Sequence, residues 1–240
     1  MSPRPLGRLT PPDTDHLDAS PLSGLAPEAR PTHVPVTIGI PWFTAFDSPI
    51  ERDGEYYFPT GNLGTVRGGH CTCLEPAPQN GQPGGEQDES AWWAFYNQGE
   101  EGACEGFGHA RSLSLLYRKT FDAFWLYDDA RRIEGTFPSG EGSTNRAVAE
   151  ALVKWGAHYE TGQVAARTSW HTGVPGVKIA GVRWATTWQE VLETLGFKEG
   201  PVPLLNSWGT AYPKRVLVPD EVGVQLIERE DGEADIFVER

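Results

Sequence analysis

Residues 202–210 read VPLLNSWGT. The apolar residues at the front of this stretch form a short buried strand, expected over about 202–208, that leads directly into Asn206, Ser207, Trp208 and Gly209. Upstream, Thr186 or Thr187 caps a short helix that Gly196 closes. Downstream, residues 214–218 and 234–238 read as strands and 220–228 as a short helix. Residues 162–182 are rich in glycine and read as irregular.

Farther out, the pattern changes. Residues 104–117 place Phe107, Leu113, Leu115 and Leu116 near helical spacing. A second helix is expected over 122–134, with Asp122 near the N-cap. A third spans 144–155, with Val148, Leu152 and Trp155 on one face and Gly156 as its stop. Toward the start of the chain, 34–43 (VPVTIGIPWF) and 65–74 (TVRGGHCTCL) read as strands, the first buried on both faces. Helices fill the middle and strands sit at both ends, which is an α+β pattern. The expected organisation is a Pro-rich N-terminal arm at 1–33, a strand pair at 34–75 and a linker at 76–90. A helical subdomain at 91–160 and the remainder of the β subdomain at 161–240 follow. No internal repeat is present.

Of the 240 residues, 38% are hydrophobic and nine are Trp, enough to build a packed core, so a wholly disordered or fibrous chain is excluded. No run of about 18 apolar residues exists to span a membrane. The first residues, MSPRPLGRLTPPDTDH, lack the apolar core of a secretion signal, so a cytoplasmic location is expected. The net charge of −13 and the lack of a basic stripe argue against nucleic acid as a partner. The only basic pairs considered, Arg118-Lys119, Arg131-Arg132 and Lys214-Arg215, are small and scattered. Three cysteines, Cys71, Cys73 and Cys104, cannot all pair within one chain, which suits a reducing compartment.

Chemistry concentrates in three places. In NQGEEGACEGF (97–107), Cys104 sits at a helix start behind a Gly-rich turn. Free N–H groups there favour a thiolate, the nucleophilic form of cysteine. Six residues upstream, Gln98 carries an amide that can meet an acyl oxygen. A cysteine nucleophile needs an imidazole to take its proton and a polar group to fix the ring, roles open to His70 after Gly68-Gly69 and to Asn206. Taken singly, each has a plainer reading: a buried structural Cys, a histidine satisfied in a sheet, an Asn in a turn. His109 and His158 read as structural, His16 and His33 lie in the arm, and His171 lacks a strand pattern around it. Cys71, Cys73 and His70 have no second Cys/His cluster to complete a metal site, so neither metal nor cofactor is expected.

Together these pieces resemble the papain-like cysteine peptidases, and the chain looks similar to members from actinobacteria and their phages. Gln98 and Cys104 have the spacing of that family's nucleophile motif, Asn206-Ser207-Trp208-Gly209 is its Asn motif verbatim, and Gly68-Gly69-His70-Cys71 is close to its His motif. The resemblance covers about 34–238. It implies a fold of a helical left subdomain and a β-rich right subdomain with a cleft between them. It also implies Cys104 as nucleophile, His70 as base and acid, Asn206 as ring orienter, Gln98 as oxyanion donor, and Trp208 as a cover over the His–Asn contact. The implied activity is hydrolysis of a peptide or related amide bond in a peptide or protein substrate. A non-catalytic structural or interaction protein on the same scaffold is the other reading, with the arm as a surface for an assembly partner.

The chain departs from the family in three ways. His70 precedes Cys104, whereas the family order is Cys, His, Asn; the strand pair 34–74 looks moved from just ahead of 202–208 to the front, with 76–90 as the connecting linker. The expected consequence is a rearranged strand order in which 34–43 and 65–74 share a sheet with 202–208. Glu105 stands where the family usually has Trp, and Glu100, Glu101 and Glu105 surround the thiol with negative charge that opposes its ionisation. Tyr212-Pro213 replaces an aromatic-Gly pair.

Overall fold

A computed structural model describes residues 18–79, 96–159, 175–208 and 212–238. The chain is mixed α+β. Its eleven described strands are β1 (Asp18–Pro21), β2 (Val36–Phe43), β3 (Ile50–Arg52), β4 (Glu55–Tyr57), β5 (Val66–Leu74), β6 (Ala157–His158), β7 (Pro175–Val177), β8 (Gly181–Ala185), β9 (Val202–Leu205), β10 (Arg215–Val218) and β11 (Glu233–Val238). The helices among the described residues are α1 (Cys104–Tyr117), α2 (Ala123–Glu134), α3 (Asn145–Lys154), α4 (Trp188–Leu195) and α5 (Asp220–Val224). Nine strands form one sheet in the order β1-β8-β11-β2-β5-β9-β10-β4-β3, and β6 pairs with β7 apart from it.

Strand β2 is buried at all eight positions because helices cover both faces of the sheet there. Val36, Ile38, Ile40 and Trp42 join Trp188, Val191, Leu195 and Val222 from α4 and α5 in one hydrophobic cluster. The alternate residues face α1 and α3. Thr37 meets the Ser112 hydroxyl at 2.6 Å, and Gly39 lies against the Asn145 side chain. A second cluster joins Phe107, Leu113, Leu126, Tyr127, Val148 and Leu152 of α1–α3 to Val182 and Phe237 of the sheet.

Local signals set most helix ends. Asp122 accepts the Trp125 N–H at 2.9 Å, Thr144 accepts Ala147 at 3.2 Å and Thr187 accepts Glu190 at 3.2 Å. Gly135 and Gly196 end α2 and α4 in the left-handed conformation. By contrast, no side-chain bond caps α1 at its N-cap, Ala103. What seats α1 is close backbone approach. A Cβ on Gly106 would stand 2.5 Å from the Ala123 carbonyl oxygen, and one on Gly108 would stand 2.8 Å from Cys71 Sγ. These two glycines bring the helix down onto α2 and β5 together.

Two segments differ from the reading of the sequence. Residues 181–185, of which 181 and 182 fall in the stretch read as irregular, form a sheet strand between β1 and β11, because pairing on both sides supplies its backbone bonds. The helix expected over 220–228 is α-helical only to Val224 and then widens into a π turn over Gln225–Arg229. The arm from residue 18 onward lies against the sheet: β1 pairs in parallel with β8 and Leu22 is buried. Residues 1–17, and the parts of the linker and Gly-rich stretch at 80–95 and 160–174, lie outside the described residues. No helix among the described residues is long and apolar enough to cross a membrane.

Candidate active site

The site forms where two strands part. β5 pairs with β9 only at Cys73↔Leu205 and Leu74↔Leu204. The Thr72 hydroxyl bonds the Leu205 carbonyl at 2.6 Å, and beyond it the strands separate. Asn206, one residue past β9, reaches across the gap to His70, with Oδ1 3.2 Å from Nε2. The same Oδ1 accepts the Ser207 backbone N–H at 2.6 Å, which identifies it as the carbonyl oxygen. Nε2 of His70 therefore carries the ring proton, and Nδ1 keeps its lone pair. Trp208 lies over the imidazole at 4.6 Å between centroids and Trp42 meets it edge-on at 4.9 Å. This enclosure lowers the His70 pKa from 6.5 to about 4 through burial, opposed by the bond to Asn206. The ring is neutral at pH 7.

Cys104 is the first residue of α1 and is buried. The Cys71 backbone N–H bonds its sulfur, so the thiol sits against the residue that follows His70 in β5. The thiol donates to Glu105 Oε2 at 3.3 Å. Burial raises the thiol pKa well above its ordinary value, and the negative charge of Glu105 raises it further, while the Cys71 N–H works the other way. The helix start alone favours a thiolate, but here desolvation and the neighbouring carboxylate outweigh it. Glu105 is itself pushed up to about 7, mainly by burial.

Gln98 links the two motifs. Its N–H bonds the Ser207 carbonyl at 2.9 Å, its Oε1 accepts the Ser207 hydroxyl at 2.7 Å, and its Nε2 donates to the Glu101 carbonyl at 3.1 Å. Asn97 forms a bridge to Trp208. The segment before Cys104 is thus zipped to the segment after β9.

The remaining candidates fall elsewhere. His109, read as structural, is fully buried on the sheet side of α1; its Nδ1 donates to the Glu105 carbonyl at 2.7 Å, and Nε2 lies 3.7 Å from Asp235 Oδ2. Cys73 takes the Ser112 hydroxyl at 3.2 Å, and burial pushes its thiol up to about 12. Burial also raises the Cys71 thiol. His158 packs on Trp125 and His33 meets the Ala77 carbonyl at 3.3 Å. His16 and His171 lie outside the described residues. Three contributors were given no role from the sequence: Trp42, Ser207 and Thr72. The alternation of β2 puts Trp42 on the His70 face, but only the pairing Ile40↔His70 shows which histidine it meets. Compared with known proteins, the chain matches no family model and no curated sequence.

Proposed function

We propose that this chain is a papain-like cysteine peptidase with a rearranged strand order, hydrolysing peptide or related amide bonds. The observation that carries the reading is the bond from His70 Nε2 to Asn206 Oδ1, roofed by Trp208, with the thiol of Cys104 at a helix start held on the backbone N–H of the next residue of β5, Cys71. A neutral imidazole with its proton held on Nε2 offers Nδ1 as a base. Cys104 loses its proton to that nitrogen as sulfur attacks the substrate carbonyl. The oxyanion takes hydrogen bonds from Gln98 Nε2 and the Cys104 backbone N–H. His70 then gives the proton to the leaving amine, and water hydrolyses the acyl-enzyme by the same route in reverse.

A second reading, a catalytically inactive scaffold with a structural or interaction role, is favoured by one specific observation: the thiol is hydrogen-bonded to a carboxylate and its ionisation is opposed. Assays on a quenched fluorescent peptide library separate the two. The peptidase reading expects cleavage by the wild-type chain, abolished in Cys104→Ala with the melting temperature within a few degrees. Cleavage retained in that variant removes Cys104 from the mechanism, and no cleavage of any peptide leaves the scaffold reading.

A further inference from the structure

Glu105 is a carboxylate in direct contact with the nucleophile, and the peptidase reading does not use it. Its Oε2 accepts the Cys104 thiol proton at 3.3 Å. The first turn of α1 holds it in place, because His109, one turn on, donates to the Glu105 carbonyl at 2.7 Å and is itself locked between α1 and β11 beside Asp235. Gly106 and Gly108, one and three residues on, press the same end of the helix against α2 and β5, so the helix start has little freedom to turn the carboxylate away.

We propose that Cys104 and Glu105 form a thiol–carboxyl couple that shares one proton, so that Glu105 sets the pH range over which Cys104 becomes nucleophilic. In the singly protonated couple, the proton is either on sulfur with Glu105 ionised or on Oε2 with sulfur as thiolate. Interconversion breaks the S–H bond and forms O–H, with no proton gained from solvent or lost to it. The ratio of the two forms is therefore independent of pH. The thiolate population rises with pH only until Glu105 has given up its proton, and then levels off. Above that point the carboxylate acts as a brake, holding the remaining proton on sulfur.

The groups around Glu105 place this turning point near neutrality. Glu105 titrates at about 7, raised by burial and by Glu134 of α2, and lowered by its bond with Cys104 and by His109 of its own helix. Tyr127 of α2, Cys71 of β5 and Glu233 of β11 are each raised mainly by burial, with the Glu105 charge adding to it, and Asp235 of β11 faces His109. Burial, more than any neighbouring charge, keeps the carboxyl protonated to a higher pH than an exposed glutamate.

The proposal rests on Cys104 as nucleophile, but its test needs no substrate. Iodoacetamide alkylation of Cys104 in the full chain, read by peptide mass from pH 5 to 9, reports the thiolate directly. The wild-type rate is expected to climb to about pH 7 and then flatten. In Glu105→Gln the rate coincides with wild type at lower pH and keeps climbing, so that the variant is about tenfold faster at pH 8, one pH unit past the break. A wild-type rate that climbs without a break from pH 6 to 9 overturns the proposal without any variant. So does a Glu105→Gln profile that superimposes on wild type or lies below it at pH 8. A chain that cleaves no peptide yet shows the break refutes the peptidase and keeps the couple, and active hydrolysis without the break does the reverse.

Discussion

At the scale of single residues, His70 is where enclosure has the largest chemical effect. Trp42 and Trp208 exclude water from a ring that Asn206 holds by its one proton. Its pKa of about 4 in the folded chain lies below the 6.5 it has when unfolded. The unfolded chain therefore binds a proton first as pH falls. His70 contributes stability above pH 6.5 that is lost between 6.5 and about 4, on the order of 3 kcal/mol for a shift of this size. Trp208→Ala admits water to one face of the ring. The His70 ring resonance followed by NMR should then titrate at a higher pH, moving toward 6.5, and the loss of stability on acidification should shrink. An unchanged titration would mean that Trp208 contributes packing but no desolvation.

At the scale of elements, α1 is the helix that makes the site possible. The signals that cap α2, α3 and α4 lie within a few residues of each helix end, so Asp122, Thr144, Thr187 and Gly196 are legible by inspection. The seating of α1 is not local, because Gly106 and Gly108 matter only through atoms of α2 and β5. A methyl at 108 would meet Cys71 Sγ at 2.8 Å and the Thr72 backbone nitrogen at 3.0 Å, both on a buried central strand with no room to yield. Gly108→Ala is expected to cost about 1–3 kcal/mol, as overpacked cores do. It should also move the Cys104 sulfur off the Cys71 N–H. Thermal melting reads the first effect and Cys104 alkylation at fixed pH the second; a variant that melts like wild type would show that α1 can shift without penalty.

At the scale of the whole molecule, the hairpin of β2 and β5 lies in the middle of the sheet, between β11 and β9, although it comes early in the chain. Both of its ends return to one place. The Val34 N–H bonds the Thr194 carbonyl at 3.1 Å, the Ala77 N–H bonds the Leu195 carbonyl at 2.7 Å, and the Glu75 N–H bonds the Pro203 carbonyl at 2.9 Å. His33 and Ala77 are themselves in contact, so the chain on either side of the hairpin can also be joined. A chain with 34–77 excised, 33 joined to 78, and the hairpin reinserted between Gly196 and Gly200 through short linkers is expected to keep the fold, with matching circular dichroism and a melting temperature within several degrees. A transposed chain that fails to fold would show that the N-terminal placement of the hairpin is required.

What could be read from the sequence and what could not divide along the distance over which each interaction acts. Helix ends, the strand before Asn206 and the position of Cys104 at a helix start follow from hydrogen bonds and side-chain alternation within a few residues. The end of the stretch read as irregular, 181–182, misled because a strand between two partners draws its stability from their edges, not from its own residues. The meeting of His70 with Asn206 spans 136 residues and depends on where β5 and β9 stop pairing. Likewise, the negative charge of Glu105 is visible in the sequence, while its orientation toward the thiol and its titration near neutrality come from packing. Which chemical groups are present, and which helices and strands carry them, is written in the order of residues. Which of them meet, and how far each is removed from water, depends on the folded arrangement, because strand order and desolvation are properties of contacts between distant parts of the chain.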